Sequence, residues 1–158
     1  VGLCPVEIAQ YPIVLGHTRF PTHGGKTVEN AHPFRVGNVV GAHNGVIYNH
    51  SDLNKKFDRK FEVDSMHIFQ CLEDGGYLAD MRGYGSVEYT DARQPGNVFL
   101  AKWAHGELAV SALSDNRGVV WASTQECLTR AILMAGLDAT PYKVETQVRY
   151  RTDGIELF

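Results

Sequence analysis

Six of the seven histidines fall within the first 67 residues, at positions 17, 23, 32, 43, 50 and 67. So many imidazoles raise the question of a metal centre. Their spacing argues against one, because there is no HxH or HExxH and no carboxylate is placed to complete a ligand set. The same stretch carries Arg19, the dipeptide Asn44-Gly45, and Asp64. Taken singly, each has an ordinary reading. Arginine beside a Gly-rich turn makes a surface ion pair, Asn-Gly makes a tight turn, and Asp before an apolar stripe caps a helix. Their joint order is less ordinary: Gly16-His-Thr-Arg-Phe-Pro-Thr-His-Gly24, then Asn30-Ala-His-Pro-Phe34, then His43-Asn-Gly45 with Asn49-His50, then Asp64. Such a set can bind charged groups and stabilise developing charge, provided the fold gathers it into one place.

The elements that must do so can be read from the pattern. Tyr11 to Phe20 is expected as a buried strand running into a loop, with Pro21 and Gly24-Gly25 marking the bend. Asn38 to Ile47 is a second apolar segment whose Asn44-Gly45 favours positive φ, hence a turn or a special backbone position. After Asp64 and Ser65, the residues Ile68, Phe69 and Leu72 form an apolar stripe at helical spacing that Gly75-Gly76 stops. Gly83 to Gly96 is polar and Gly-rich, which predicts a loop or lid. Short strands are expected at Val98–Trp103, Leu108–Leu113 and Val119–Trp121, with Asp115 to Gly118 as a turn. Ser123-Thr-Gln-Glu126 has the capping-box pattern. The helix after it is expected to bury Leu128, Ala131, Ile132 and Ala135 and to end at Gly136. Gln147–Arg151 and Ile155–Phe158 flank Asp153-Gly154 as a hairpin. Strands, then helices, then strands again predict an α+β fold of mixed sheets with helices on the outer faces.

Composition bounds the function. The 158 residues are 44% hydrophobic and 21% charged, values of a globular chain that exclude disorder and collagen-like repeats. Residues 1–158 are expected to form one domain. Fifteen basic against eighteen acidic side chains give a net charge of −3, without the basic footprint of a nucleic-acid or anionic-membrane partner. No apolar run is long enough to span a bilayer. Cys4, Cys71 and Cys127 include no CxxC, so no zinc site or disulfide framework is indicated. A reducing, cytoplasmic setting is expected, with Cys71 and Cys127 packed as small apolar residues.

The ordered motifs closely resemble the class II glutamine amidotransferases, the N-terminal-nucleophile family. They look most like the glutaminase domain of glucosamine-6-phosphate synthase, with amidophosphoribosyltransferase and glutamate synthase more distant. The resemblance covers most of the chain, strongest from Gly16 to Asp64 and weaker through Leu108–Ser123 and the closing strands. It implies a four-layer αββα sandwich, glutamine as substrate, hydrolysis to glutamate and ammonia, transfer of the ammonia to an acceptor, and no cofactor or metal. Arg19 matches the arginine that holds the α-carboxylate, where a guanidinium grips through two parallel hydrogen bonds. Asp64 matches the acid that takes the α-ammonium, a role compatible with capping a helix. Thr22 and His23 sit on the loop that closes over the substrate, and Phe20 stands where relatives carry another aromatic. Asn44 and Gly45 match the oxyanion hole, in which loss of one donor typically costs a factor of about 10² to 10³ in rate.

The family's nucleophile is an N-terminal cysteine whose own amine serves as base. Residue 1 here is Val, and Cys4 precedes Pro5 and lies only fifteen residues before Arg19. The expectation is that the chain is the greater part of the domain with its first strands absent, and that it shows no glutaminase activity by itself. The acceptor-using part is expected on a separate synthetase chain. Two alternatives stay open. One is an inactive glutamine-binding or structural pseudoenzyme, and the other is a Cys–His route from Cys4 through His17, His23 or His43.

Overall fold

The computed structural model describes residues 11–20, 23–76, 78–114 and 118–144, with the backbone of 148–151 and 154–157. Nine strands and three α-helices follow in order among them. These are β1 (Phe34–Val36), β2 (Val39–Ile47), α1 (His50–Lys56), α2 (Met66–Glu73), β3 (Gly83–Asp91) and β4 (Asn97–Trp103). Then come β5 (Ala109–Ala112), β6 (Val119–Ala122), α3 (Gln125–Ala135), β7 (Tyr142–Lys143), β8 (Val148–Arg151) and β9 (Gly154–Leu157). The strands make a six-stranded sheet in the order β1-β2-β3-β4-β8-β9 and a three-stranded sheet in the order β6-β5-β7. Every described pairing is antiparallel, so the chain is α+β.

Side-chain alternation separates the faces. On β2, Val39 and Ile47 point toward the helices and join Leu53 of α1 with Ile68 and Phe69 of α2 in one apolar cluster. Val98 and Leu100 of β4 belong to a second cluster with Val110 of β5, while Val119 and Trp121 of β6 pack against it. That cluster ties the two sheets together. The opposite face of the three-stranded sheet offers Ala109, Val120 and Ala122 to Leu128 and Ile132 of α3. Phe69 is fully buried and its ring lies 6.1 Å from that of Phe34. Phe69→Ala is expected to cost about 3–5 kcal/mol through lost burial and an unfilled cavity. A urea unfolding curve checks this by a lowered midpoint at unchanged slope.

Several expectations are borne out and several are corrected. The α2 stripe, the strands of β4 to β6 and the β8–β9 hairpin stand where the pattern placed them. Gly83 to Asp91 is not a loop but β3, a central strand paired along its whole length with β2. Its polar positions do not mark solvent, since Ser86 and Glu88 are buried. Asn44-Gly45 is no turn either, for it lies inside β2. Residues 11–20 alternate in exposure as a strand would, with Ile13 and Leu15 packed on the inter-sheet cluster. They join no ladder among the described residues and are only half-buried at best. The α3 cap is Thr124, whose hydroxyl accepts from the Cys127 N–H at 3.2 Å, one residue later than the capping box implied. Ala131, Ala135 and Cys127 of α3 are exposed, because only Leu128 and Ile132 reach the sheet. Gly136 ends the helix in the left-handed conformation, at φ 62°. Cys4, Pro21, Thr22, the 115–117 part of the turn, and Asp153 lie outside the described residues.

Candidate active site

Five of the residues singled out from the sequence line one cleft of about 320 Å³: Arg19, Phe20, Asn44, Gly45 and Asp64. They come from three elements. Arg19 and Phe20 sit on the irregular 11–20 segment, Asn44 and Gly45 on the central strand β2, and Asp64 just before α2. Thr22 lies outside the described residues. His23 is not on the cleft wall; it stands behind Asp64, with Nδ1 3.8 Å from the carboxylate Oδ1. Phe20 is 91% exposed and forms an open aromatic edge rather than an enclosing wall.

Asp64 is 2% exposed. Its Oδ2 accepts a 2.7 Å hydrogen bond from the Ile47 backbone N–H of β2. It is not the helix cap: that position belongs to Ser65, and the first turn of α2 closes instead through bonds from Met66, His67 and Ile68 to carbonyls three residues back. The carboxylate is thus held by a strand, not by the helix it precedes. Arg19 donates to the carbonyl of Gly25 at 3.1 Å and to that of His23. Two of its five donors therefore hold the 23–25 loop against the cleft, a task the sequence did not announce.

Three imidazoles, His17, His32 and His43, line the cleft together with Arg19. The His32 ring lies 4.5 Å from that of His17 and 4.6 Å from that of Phe34. Burial, then the neighbouring His17, His43 and Arg19, push the pKa of His32 down to about 3. Burial and Arg19 lower that of His17 as well. His43 falls to about 4, again through burial first, with Asp64 and the Tyr84 carbonyl opposing and His17 adding to the fall. His32 and His43 are consequently neutral at pH 7, and Arg19 gives this wall a fixed positive charge.

Gly45 has a steric reason to be glycine. A Cβ there would stand 2.1 Å from the Tyr84 carbonyl oxygen and 2.6 Å from the Gly85 Cα. The strands approach closely because Gly45 and Gly85 are register partners. Gly106, in the β4–β5 connection, presses on the other side, where a Cβ would meet the Gly85 oxygen at 1.9 Å. Tyr84, Ser65 and the 105–107 loop also line the cleft, and sequence reading missed them. The signal was present in Gly83-Tyr-Gly85 and Gly106, whose glycines mark close backbone approach rather than a flexible lid.

The described cysteines do not reach the cleft. Cys71 is half-buried in α2, and burial raises its thiol pKa, while Cys127 is exposed on α3. Among the described residues no three His, Cys, Asp or Glu side chains converge as metal ligands. No described helix is long and apolar enough to cross a membrane. What the cleft offers is a guanidinium, a buried carboxylate and an amide–glycine pair around one small volume.

No protein-family model matches the chain. Individual proteins do. The glutamine–fructose-6-phosphate aminotransferase (isomerizing) of Zymomonas mobilis is 51% identical over 104 residues, 66% of this chain and 16% of that protein. The protein of the same name from Caulobacter vibrioides is 44% identical over 97 residues, 59% of this chain and 16% of the relative. The amidophosphoribosyltransferase of Methanocaldococcus jannaschii is 38% identical over 73 residues, 44% of this chain and 14% of that protein. The chain spans between 11% and 17% of the length of such relatives. Their homology is to class II glutamine amidotransferases, the family that the ordered motifs from Gly16 to Asp64 resemble.

Proposed function

We propose that this chain carries the glutamine-binding and oxyanion-stabilising part of a class II glutaminase site, on a four-layer αββα sandwich of the N-terminal-nucleophile type. The observation that carries the reading is the convergence of Arg19, Asn44, Gly45 and Asp64 on one cleft of about 320 Å³. Glutamine presents three different polar ends, and the cleft holds three matching groups. Arg19 receives the α-carboxylate and Asp64 the α-ammonium. Asn44 and the Gly45 N–H face the side-chain amide.

Attack on that amide places negative charge on its oxygen. Donors fixed in a strand meet the charge without reorganising, which is what lowers the barrier. Ammonia then leaves, and water releases glutamate from the acyl intermediate. The attack itself calls for a thiol beside a base. Cys71 and Cys127 are away from the cleft, and the raised pKa of Cys71 makes it a poor thiolate. The described residues therefore account for binding and charge stabilisation, and the ammonia is passed to an acceptor-using site.

Calorimetric titration with L-glutamine tests this. The parent chain is expected to bind saturably, and Arg19→Lys to bind at least about tenfold more weakly, since a lysine cannot keep the parallel pair of hydrogen bonds. Equal affinity for the lysine variant would remove Arg19 from the carboxylate role. No binding by a folded parent would remove the reading as a whole.

A further inference from the structure

Ser65 stands at the N-cap of α2, where a serine hydroxyl ordinarily accepts from the first N–H groups of the helix. It makes no such bond. Its Oγ instead shares a 2.9 Å hydrogen bond with Nδ1 of His43, and both residues are 2% exposed. A side chain that forgoes its local use in a buried setting is often recruited for a site.

The geometry around His43 indicates which site. Its ring stacks on Trp103, with centroids 5.4 Å apart and planes 8° from parallel. Among the described residues its buried Nε2 forms no regular hydrogen bond, though the Tyr84 carbonyl acts on the ring. That atom faces the Gly45–Gly85 seam, for a Cβ on Gly45 would lie 2.8 Å from it and one on Gly85 2.6 Å. His43 is thus a wedge directly against the backbone of Gly45, held from behind by Trp103 and from the side by Ser65. The neighbouring Asp64 fastens the other end of the same strand segment through the Ile47 N–H at 2.7 Å. Two consecutive residues, Asp64 and Ser65, therefore grip β2 on both sides of Asn44-Gly45.

We propose that Ser65 is a positioning residue that, through His43, fixes the Asn44–Gly45 peptide relative to the Asp64 carboxylate, so that both ends of one glutamine meet their partners together. The proposal rests on the reading of this cleft as a glutamine site. Without the Ser65 bond, His43 loses its hydrogen bond at Nδ1, and the backing of the Gly45 N–H loosens. Asp64 keeps its own bond to Ile47, so the ammonium partner stays while the amide partners drift.

Three proteins test it: the parent, Ser65→Ala and Ser65→Thr, each verified as folded by circular dichroism. Two readouts are taken, L-glutamine affinity by calorimetry and the Gly45 backbone amide signal by ¹H–¹⁵N NMR without ligand. Ser65→Ala is expected to bind glutamine about tenfold more weakly and to move the Gly45 signal, because small misplacements of a fixed group are costly. Ser65→Thr, which keeps the hydroxyl, is expected to restore both readouts to near those of the parent. A purely structural serine would lower stability without this rescue of affinity and signal. Should Ser65→Ala not fold, Ser65→Cys carries the same two readouts, with change in the same direction expected. An unmoved Gly45 signal in the folded variant, or undiminished affinity, overturns the proposal. A folded parent that binds no glutamine overturns the glutaminase reading, and the Gly45 signal then still decides whether Ser65 fixes the peptide.

Discussion

Gly45→Ala is expected to abolish glutamine binding and to cost about 3 kcal/mol or more of folding stability at once. The added methyl cannot be accommodated by a side-chain rotation. Two of its nearest neighbours are backbone atoms, the Tyr84 oxygen at 2.1 Å and the Gly85 Cα at 2.6 Å, and the third is the wedged Nε2 of His43 at 2.8 Å. Relief requires β2 to move away from β3 by an amount on the order of an ångström, since contacts nearer than van der Waals distance are steeply repulsive. The pairing of Gly45 with Gly85 lies inside a nine-residue ladder, with two pairs beyond it on one side and six on the other, so separation there strains the hydrogen bonds on both sides. The same movement displaces Asn44 and the Gly45 N–H from the cleft. Gly16→Ala serves as the control. It stands in the same region of the chain with nothing within 4 Å of its Cβ position, and a change within about 0.5 kcal/mol is expected. Urea unfolding gives the stability of each variant and calorimetry its affinity. A Gly45→Ala protein as stable as the parent would show that the two strands do not approach this closely.

That glycine also illustrates how far the sequence could be read. The order of Arg19, Asn44-Gly45 and Asp64 was legible because each is a distinct chemical type in a specific succession, and the structure brings all of them to one cleft. The local role of Asn44-Gly45 was not. A glycine needed for a turn and one needed for close backbone approach look alike in a sequence, and only the partner strand distinguishes them. The same ambiguity hid β3, whose glycines and polar residues read as a loop. Ser86 and Glu88 face the inter-sheet side of the strand beside Asn44, Ala42 and Leu100, so a polar residue there says nothing about solvent. Helix α1 was missed for a different reason. It has seven residues and buries only Leu53, too little for a helical period to emerge. Helix α3 was found but its start was placed one residue early, because Ser123 and Thr124 are chemically equivalent caps. The Ser65–His43 bond was beyond any pattern, as it joins two elements through side chains that each have a commoner use.

Glu88→Gln is expected to stabilise the protein by an amount on the order of 4 kcal/mol at about pH 9 and to leave it nearly unchanged at about pH 4. Glu88 is 8% exposed in the centre of β3, and burial raises its carboxyl pKa from the ordinary 4.5 to about 8, opposed only by its own backbone. The sign follows from proton binding. At low pH both the folded and the unfolded chain hold the proton. Between the ordinary value and about 8, the unfolded chain releases it while the folded chain keeps it, so stability falls as pH rises and levels off once the folded carboxyl has ionised. Glutamine is isosteric with the neutral carboxyl and carries no such dependence. The histidines act in the opposite sense. His32, His43 and His67 are held by burial near 3, 4 and 4, against an ordinary value of 6.5. Their contribution is intact above that ordinary value and is lost as pH falls toward the folded values. His32 and His43 also repel each other when charged, so their losses do not simply add. The two limbs cross near about pH 7, where the proton uptake of three unfolded imidazoles balances the proton held by one folded carboxyl. The parent is therefore expected to be most stable near neutrality, with both limbs visible in urea unfolding between about pH 4 and pH 9. Glu88→Gln should erase the alkaline limb and keep the acid one. Parallel curves for the two proteins would mean that Glu88 is ionised and solvated when folded, and the polar strand face beside Asn44 would then have to be open to water.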